Sequence, residues 1–529
     1  NFEYDQAERP TLHYQRINSQ TTETITRNTY NGLGLLTQKR VGGAYSSSNS
    51  IAALQHVDYK YNIRGWLTEV NDVNNLTFSG DLFAYRISYN GTSQGTASVP
   101  KRYSGQINQV IWRSARDNVK RAYAYSYDDL SRLKRTYYRE GTALNSGTNR
   151  HDTYDIAYDA NGNITNLRRN NQYGGLIDRM TYNYAGGGNQ LTGIRDYAST
   201  STGFKDGYTD STDYDYDDNG NLIFDRNRDV EEFYYNHLNL VSRIRMGSGA
   251  NIYFTYNAAG EKIKKRYVSN SGGTTITDYL GGFQYRNSTL EFFPTPEGYA
   301  SKEGSIFRYI YVYADHLGSN RVAFSDLNYN GSVISTEIVS NTNYYAMGMK
   351  HFGEYVSSYA SGFNYKFQGK ELQLENGILQ YDFGSRLYDP TVGRWFGTDP
   401  QHQFASPYVA MANDPGNSID PNGEEAITLI SALVIAATVV GGTTAAIVTL
   451  ANGGDALEAL GAFIRGATMA GFMAGASAAP AVFAANVLGS ASAAKVIAQP
   501  ATWKAVIGNV AASYASVDIP ISDNFSLSL

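Results

Sequence analysis

The residues able to do chemistry in this 529-residue chain are unevenly supplied. There is no Cys, so disulfides, thiolate zinc sites, iron–sulfur clusters and Cys nucleophiles are all excluded. Seven His are present, and none falls in a metal-binding motif. Asp315-His316 has the residue types of a catalytic pair. Neighbours on a strand point to opposite faces, however, so adjacency predicts a structural His rather than a dyad. The densest basic run, Lys262-Ile-Lys-Lys-Arg266, is expected to form a solvated strand face. Asp217-Asp218-Asn219-Gly220 resembles the start of a calcium loop, but it lacks the regular ligand spacing and the later bidentate Glu. No phosphate loop or dinucleotide fingerprint is present, so neither metal nor cofactor is expected. A net charge of -5 argues against nucleic acid as a partner.

The elements that would position chemistry are announced by 44 Tyr and 52 Gly. Aligning on Tyr gives a template of Tyr, Asp/Asn, two variable residues, Gly, one variable residue and Leu/Ile. Tyr30–Leu36, Tyr61–Leu67, Tyr158–Ile164 and Tyr216–Leu222 match it fully. Tyr127–Leu133 carries Ser131 in the Gly place, Tyr235–Val241 carries Asn239, and Tyr256 to Gly260 loses register at the last apolar residue. Asp or Asn starts a turn because its side chain bonds backbone amides further on. Gly34, Gly65, Gly162 and Gly220 would then take the positive φ that closes a type I turn with a bulge. Tyr before the turn and Leu/Ile after it are strand formers that pack across a hairpin. One hairpin cannot bury its apolar face alone, so successive hairpins are expected to join into one sheet.

These repeats resemble those of the YD-repeat proteins, also called RHS-repeat proteins. The resemblance is strengthened by Tyr313-Ala-Asp-His-Leu-Gly-Ser-Asn-Arg321, Phe367-Gln-Gly-Lys-Glu371 and Tyr381-Asp-Phe-Gly-Ser-Arg-Leu-Tyr-Asp-Pro390. Gly393-Arg-Trp-Phe-Gly-Thr-Asp-Pro400 and Asn413-Asp-Pro-Gly-Asn-Ser-Ile-Asp-Pro-Asn-Gly423 complete the family-like core. The resemblance covers about residues 1–423 and implies a mainly β fold. In it a strip of β-hairpins, residues 1–310, spirals into a hollow shell that a core segment, 311–424, closes. It further implies a secreted or cell-surface bacterial protein that encloses the polypeptide following the shell. Export machinery or outer-membrane components would be its further partners.

In many relatives the core is an aspartyl autoprotease that cuts just after the last Asp-Pro-x-Gly. Carried over to this chain, the resemblance implies Asp399 and Asp420 as the carboxylates, with Arg386 holding or polarising the site. Two nearby carboxylates can share a proton, one activating water while the other protonates. The cut would fall between Gly423 and Glu424. Two departures stand out: relatives place a bulky apolar residue where Glu424 and then Glu425 follow, and Asn413-Asp414-Pro415 replaces the commoner Asn-Asn-Pro. The bland alternative is that Asp399, Asp420 and Arg386 only bond turns and plug the shell.

Composition changes abruptly at residue 425. Of the 44 Tyr only Tyr514 lies beyond it, all His lie before it, and 426–529 carries seven charges. Residues 425–529 are expected to be apolar and mostly α-helical or irregular. The uncharged run 426–454 is long enough to span a bilayer. Three readings stay open: a segment enclosed in the shell, a membrane-active toxin, or a membrane anchor. Asn1-Phe-Glu-Tyr-Asp5 begins in mid-pattern, as expected of a piece of a longer protein.

Overall fold

The computed structural model describes residues 1–428 except 47–52, 93–94, 96–98, 199–201 and 208–211. The expected enclosure of 425–529 and the membrane reading of 426–454 therefore concern a segment that, from residue 429 on, lies outside the described residues. Within the described residues the fold is mainly β and antiparallel, as the repeat requires. Strands follow one another in chain order through a ten-stranded, a four-stranded and a fourteen-stranded sheet. Such sequential pairing is what short hairpin links produce.

Each repeat builds its turn in the same way. Asn31 Oδ1 accepts the N–H groups of Leu33 and Leu35 at 2.9 and 3.0 Å, and the pattern recurs at Asn62, Asp128, Asp159, Asp217, Asn236 and Asn257. The closing glycines sit at positive φ: Gly34 at 81°, Gly65 at 75°, Gly162 at 86° and Gly220 at 79°. Ser131 and Asn239, which replace Gly, adopt the same backbone at 67° and 58°. The expected bulge shows as a register shift beside Tyr30, Tyr61, Tyr158 and Tyr216.

The tyrosines do more than pack across hairpins. Tyr61 Oη donates to Leu36 O, Tyr158 Oη to Leu133 O, Tyr235 Oη to Leu222 O and Tyr256 Oη to Val241 O. Each hydroxyl reaches the carbonyl of the preceding repeat's Leu/Ile/Val position. The repeated Tyr thus stitches one hairpin to the last, at about 1 kcal/mol per bond.

The strip curls back on itself. The Gln20 side chain both donates to Phe307 O and accepts from Phe307 N, and Lys39 pairs with Glu297 at 2.9 Å. A single buried apolar cluster runs from Val41 to Phe396. The later chain then meets successive parts of the strip: Trp112 with Asn343, Asn170 with Tyr345, Asn189 with Arg394 and Gly220 with Tyr408. The division expected at 310/311 falls inside the strand Ile306–Ala314, and the fourteen-stranded sheet continues to Tyr355–Val356. Asp315 explains the continuity. Its Oδ1 accepts from Leu317 N and Ser319 N, so this segment begins with one more turn of the repeat type.

The basic run departs from expectation. Lys262 and Lys265 turn inward, where Lys262 pairs with Glu371 and Asp382 and Lys265 with Glu371 and Glu375. Only Lys264 and Arg266 keep the solvated role. The acidic partners lie about a hundred residues away, and burying lysines is tolerable only with such partners.

Candidate functional site

Arg386, Asp399 and Asp420 come together. Arg386 follows the turn after Gln380–Asp382, Asp399 follows the strand Arg394–Trp395, and Asp420 follows Ser418–Ile419. All three are nearly inaccessible, at 6, 2 and 1% exposure. One nitrogen, Arg386 Nη2, lies 3.8 Å from Asp399 Oδ1 and 3.4 Å from Asp420 Oδ2. The guanidinium stacks over Trp395, 4.4 Å from the ring centroid, which fixes its plane. What links the carboxylates here is the arginine between them. Its charge favours the ionised form of each carboxylate, and burial opposes it at Asp420.

The same arginine touches the junction expected to be cut. Arg386 Nε donates to Gly423 O, the carbonyl of the Gly423–Glu424 bond. Asp420 Oδ1 accepts from Gly423 N at 2.7 Å and from Glu424 N at 3.1 Å, so it lies on the nitrogen that would leave. Burial raises the Asp420 carboxyl above its ordinary range, against the opposing pull of Arg386 and the backbone N–H groups. Burial likewise lowers the Arg386 guanidinium. Glu425 is raised by burial and then by Asp420, Asp399 and Glu424, so acidic groups outnumber the cations Arg386 and Lys370.

Several residues that the sequence did not single out hold the junction. Ser385 N donates to Asn422 O at 3.0 Å, and Ser385 Oγ donates to Glu424 Oε1 at 2.8 Å. Glu424 therefore has a polar seat where an apolar one was expected. Gly423 sits at φ 80°, and a Cβ there would lie 3.0 Å from Arg386 N and 3.1 Å from Phe383 Cβ. Downstream, Gln403 brackets Ala426 through its N and O, and Ile427–Thr428 pairs with Ser418–Ile419. Gln368 Oε1 accepts from Asp420 N, and Lys370 Nζ donates to Pro421 O. The Phe367-Gln-Gly-Lys-Glu371 motif was the available signal for these last two. Beside Glu424 and Asp399 opens a cavity of about 470 Å³ whose other walls include Leu222, Phe233, Tyr235 and Phe254 from the repeats.

The other candidates resolve as structural. Asp315 pairs with Arg321 at 3.2 Å while His316 Nε2 faces Gly416 O, so the adjacent pair does not act together. Asp217 to Gly220 is a repeat turn whose glycine lets the core approach. A Cβ on Gly220 would lie 2.7 Å from Thr398 Cγ2 and 2.8 Å from Tyr408 Oη.

No family model matches the chain. Salivary gland surface protein 1 of Aedes aegypti is 28% identical over 251 residues, which is 43% of this chain and 7% of that protein's length. The chain thus spans a small fraction of that relative. Among solved structures, the crystal structure of TcdB2-TccC3-Cdc42 overlays with a TM-score of 0.45 at 15% identity, covering 76% of this chain and 22% of that one. That of TcdB2-TccC3-TEV gives 0.46 at 15%, with 77% and 22% covered. A porin-like protein from Bacteroides uniformis gives 0.15 at 8% identity, covering 52% of this chain and 91% of that one.

Proposed function

We propose that the chain is an exported YD-repeat shell protein that carries its own C-terminal segment and severs it after Gly423. The observation that carries this reading is Arg386, which contacts both carboxylates and the carbonyl of the Gly423–Glu424 bond. Water would add to the Gly423 carbonyl carbon and lose its proton to Asp399. Arg386 Nε would hold the oxyanion. Asp420, in its protonated form, would deliver a proton to Glu424 N as the C–N bond breaks. The products are the Gly423 carboxylate and the Glu424 amine. Because the substrate is part of the same chain, positioning alone supplies a large share of the rate.

A second reading is a cell-surface protein of adhesive or motility type in which the three residues only lock the core. It is favoured by the bonds Asp399 makes to Gln401 N and Gln403 N, the same i+2 and i+4 pattern as the repeat turns. The mosquito relative's name, a surface protein, fits it as well. Denaturing gels of the wild type and Asp399→Asn separate the two. Two wild-type bands dividing near residue 424, lost in the variant, support self-cleavage. One full-length band in both leaves a structural lock.

A further inference from the structure

A buried contact between strip and core involves two histidines the proposed reaction does not use. His151, just before the strand Thr153–Tyr158, stacks on His351 of the core with ring centroids 3.8 Å apart and planes within 3°. Both residues are 7% exposed. Tyr138 and Tyr345 lie edge-on to both rings, and Tyr123 edge-on to His351.

The hydrogen bonds fix the protons. Tyr123 Oη donates to His151 O and Tyr345 Oη donates to Asn170 O, which uses the one proton each phenol has. Each phenol oxygen must then accept from the imidazole beside it. His351 Nε2, 2.8 Å from Tyr123 Oη, and His151 Nδ1, 3.3 Å from Tyr345 Oη, are therefore the N–H nitrogens of neutral rings. A second proton on either ring creates a cation against the face of its partner, and two would stack like charges.

The surroundings offer little relief. Arg121, Arg150 and Arg321 all push against a charged pair. Their partners are Asp117, Glu140 and Asp315 respectively. Asp152 is engaged by Tyr138 N and Arg135, and Lys350 beside His351 is paired with Glu354. Desolvation is the main cause holding both rings neutral, with His151 lowered to about 4 and His351 held well below its ordinary range.

We propose that His151 and His351 form an acid-sensitive latch that joins the repeat strip to the core segment and releases it when the pair is protonated. Both groups are depressed below their unfolded value near 6.5, so the unfolded or opened state binds more protons. Their contribution is present above about pH 6.5 and is lost as pH falls toward 4. The latch concerns opening of the shell and does not depend on cleavage.

Amide hydrogen exchange of the full chain carrying Asp399→Asn, compared at pH 7.5 and 5.0 after correction for intrinsic rates, tests it. The expected result is a loss of protection of tenfold or more at 149–152 and 343–351, ahead of the turns around Asn31 and Asn62. In His351→Gln, which cannot take up the proton, the ratio between the two pH values should shrink at least threefold. Should that variant misfold, the wild-type exchange map decides alone. Uniform loss of protection along the chain, or a well-folded His351→Gln with the wild-type pH ratio, overturns the latch.

Discussion

The repeat turn at Asp217 and the core turn at Asp399 are locally the same object. In each, the side chain accepts N–H groups two and four residues on. They differ in what else each carboxylate faces. Asp217 lies on the turn edge and receives the Asn221 side chain, a neutral partner. Asp399 is sealed in and faces Arg386, which in turn holds Asp420 and the Gly423 carbonyl. Candidate chemistry here is thus a repeat motif placed in a desolvated setting beside a cation. Asx turns alone are scaffolding, and the environment supplies the rest.

The widest separation between the two places should come from replacing each Asp by Asn. Asp399→Asn keeps the turn but removes the base, so single-chain cleavage followed on gels should slow at least 100-fold. Asp217→Asn should change thermal stability by less than about 0.5 kcal/mol, because Asn fills the same position at Asn31, Asn62 and Asn236. Equal effects at both sites would erase the distinction.

Glycines sharpen it next. Gly65 and Gly220 share a backbone, at φ 75° and 79°, but Gly220 also lies against Thr398 and Tyr408. In urea unfolding, Gly65→Val should cost about 1–2 kcal/mol from backbone strain. Gly220→Val should cost about 3 kcal/mol or more, since the core must also move away.

Asp414 offers a pH test of the core. It is half-buried, with Asn417 and Gln106 as neutral partners, and desolvation raises it to about 7. A carboxyl raised in the folded state binds more protons than the unfolded chain. Its penalty therefore grows as pH rises from about 4 to about 7. Asp414→Asn should stabilise the fold by about 2 kcal/mol at pH 8 and by almost nothing at pH 4, read from melting curves. A uniform effect at both pH values would contradict the assignment.

The smallest effect belongs to the stitching hydroxyls. Tyr61→Phe deletes the bond to Leu36 O and should cost about 1 kcal/mol in urea unfolding. No measurable change would remove the hydroxyl from the account of why Tyr recurs.

Much of the strip was legible because its information is local. The turn residues, their φ angles and the sequential hairpins follow from a seven-residue template, even where Ser131 and Asn239 replace Gly. The hydroxyl bonds between repeats were not legible, since a Tyr that packs and a Tyr that donates read alike. The core site was legible only as three residue types carried over from a resemblance. Spacing could not say that Arg386 would stand between the carboxylates, nor that Ser385 would receive Glu424. The inward turn of Lys262 and Lys265 failed for the same reason: partners such as Glu371 are assigned by the curl of the strip. Long-range polar pairing of this kind leaves no periodic trace.

Arg386, Asp399 and Asp420 are proposed to cut the bond they enclose. Mass spectrometry of the denatured protein tests it most directly. Self-cleavage gives two polypeptides, one ending at Gly423 and one beginning at Glu424, and a single intact chain in Asp399→Asn. A wild-type protein that remains one 58.2 kDa chain after prolonged incubation would contradict it.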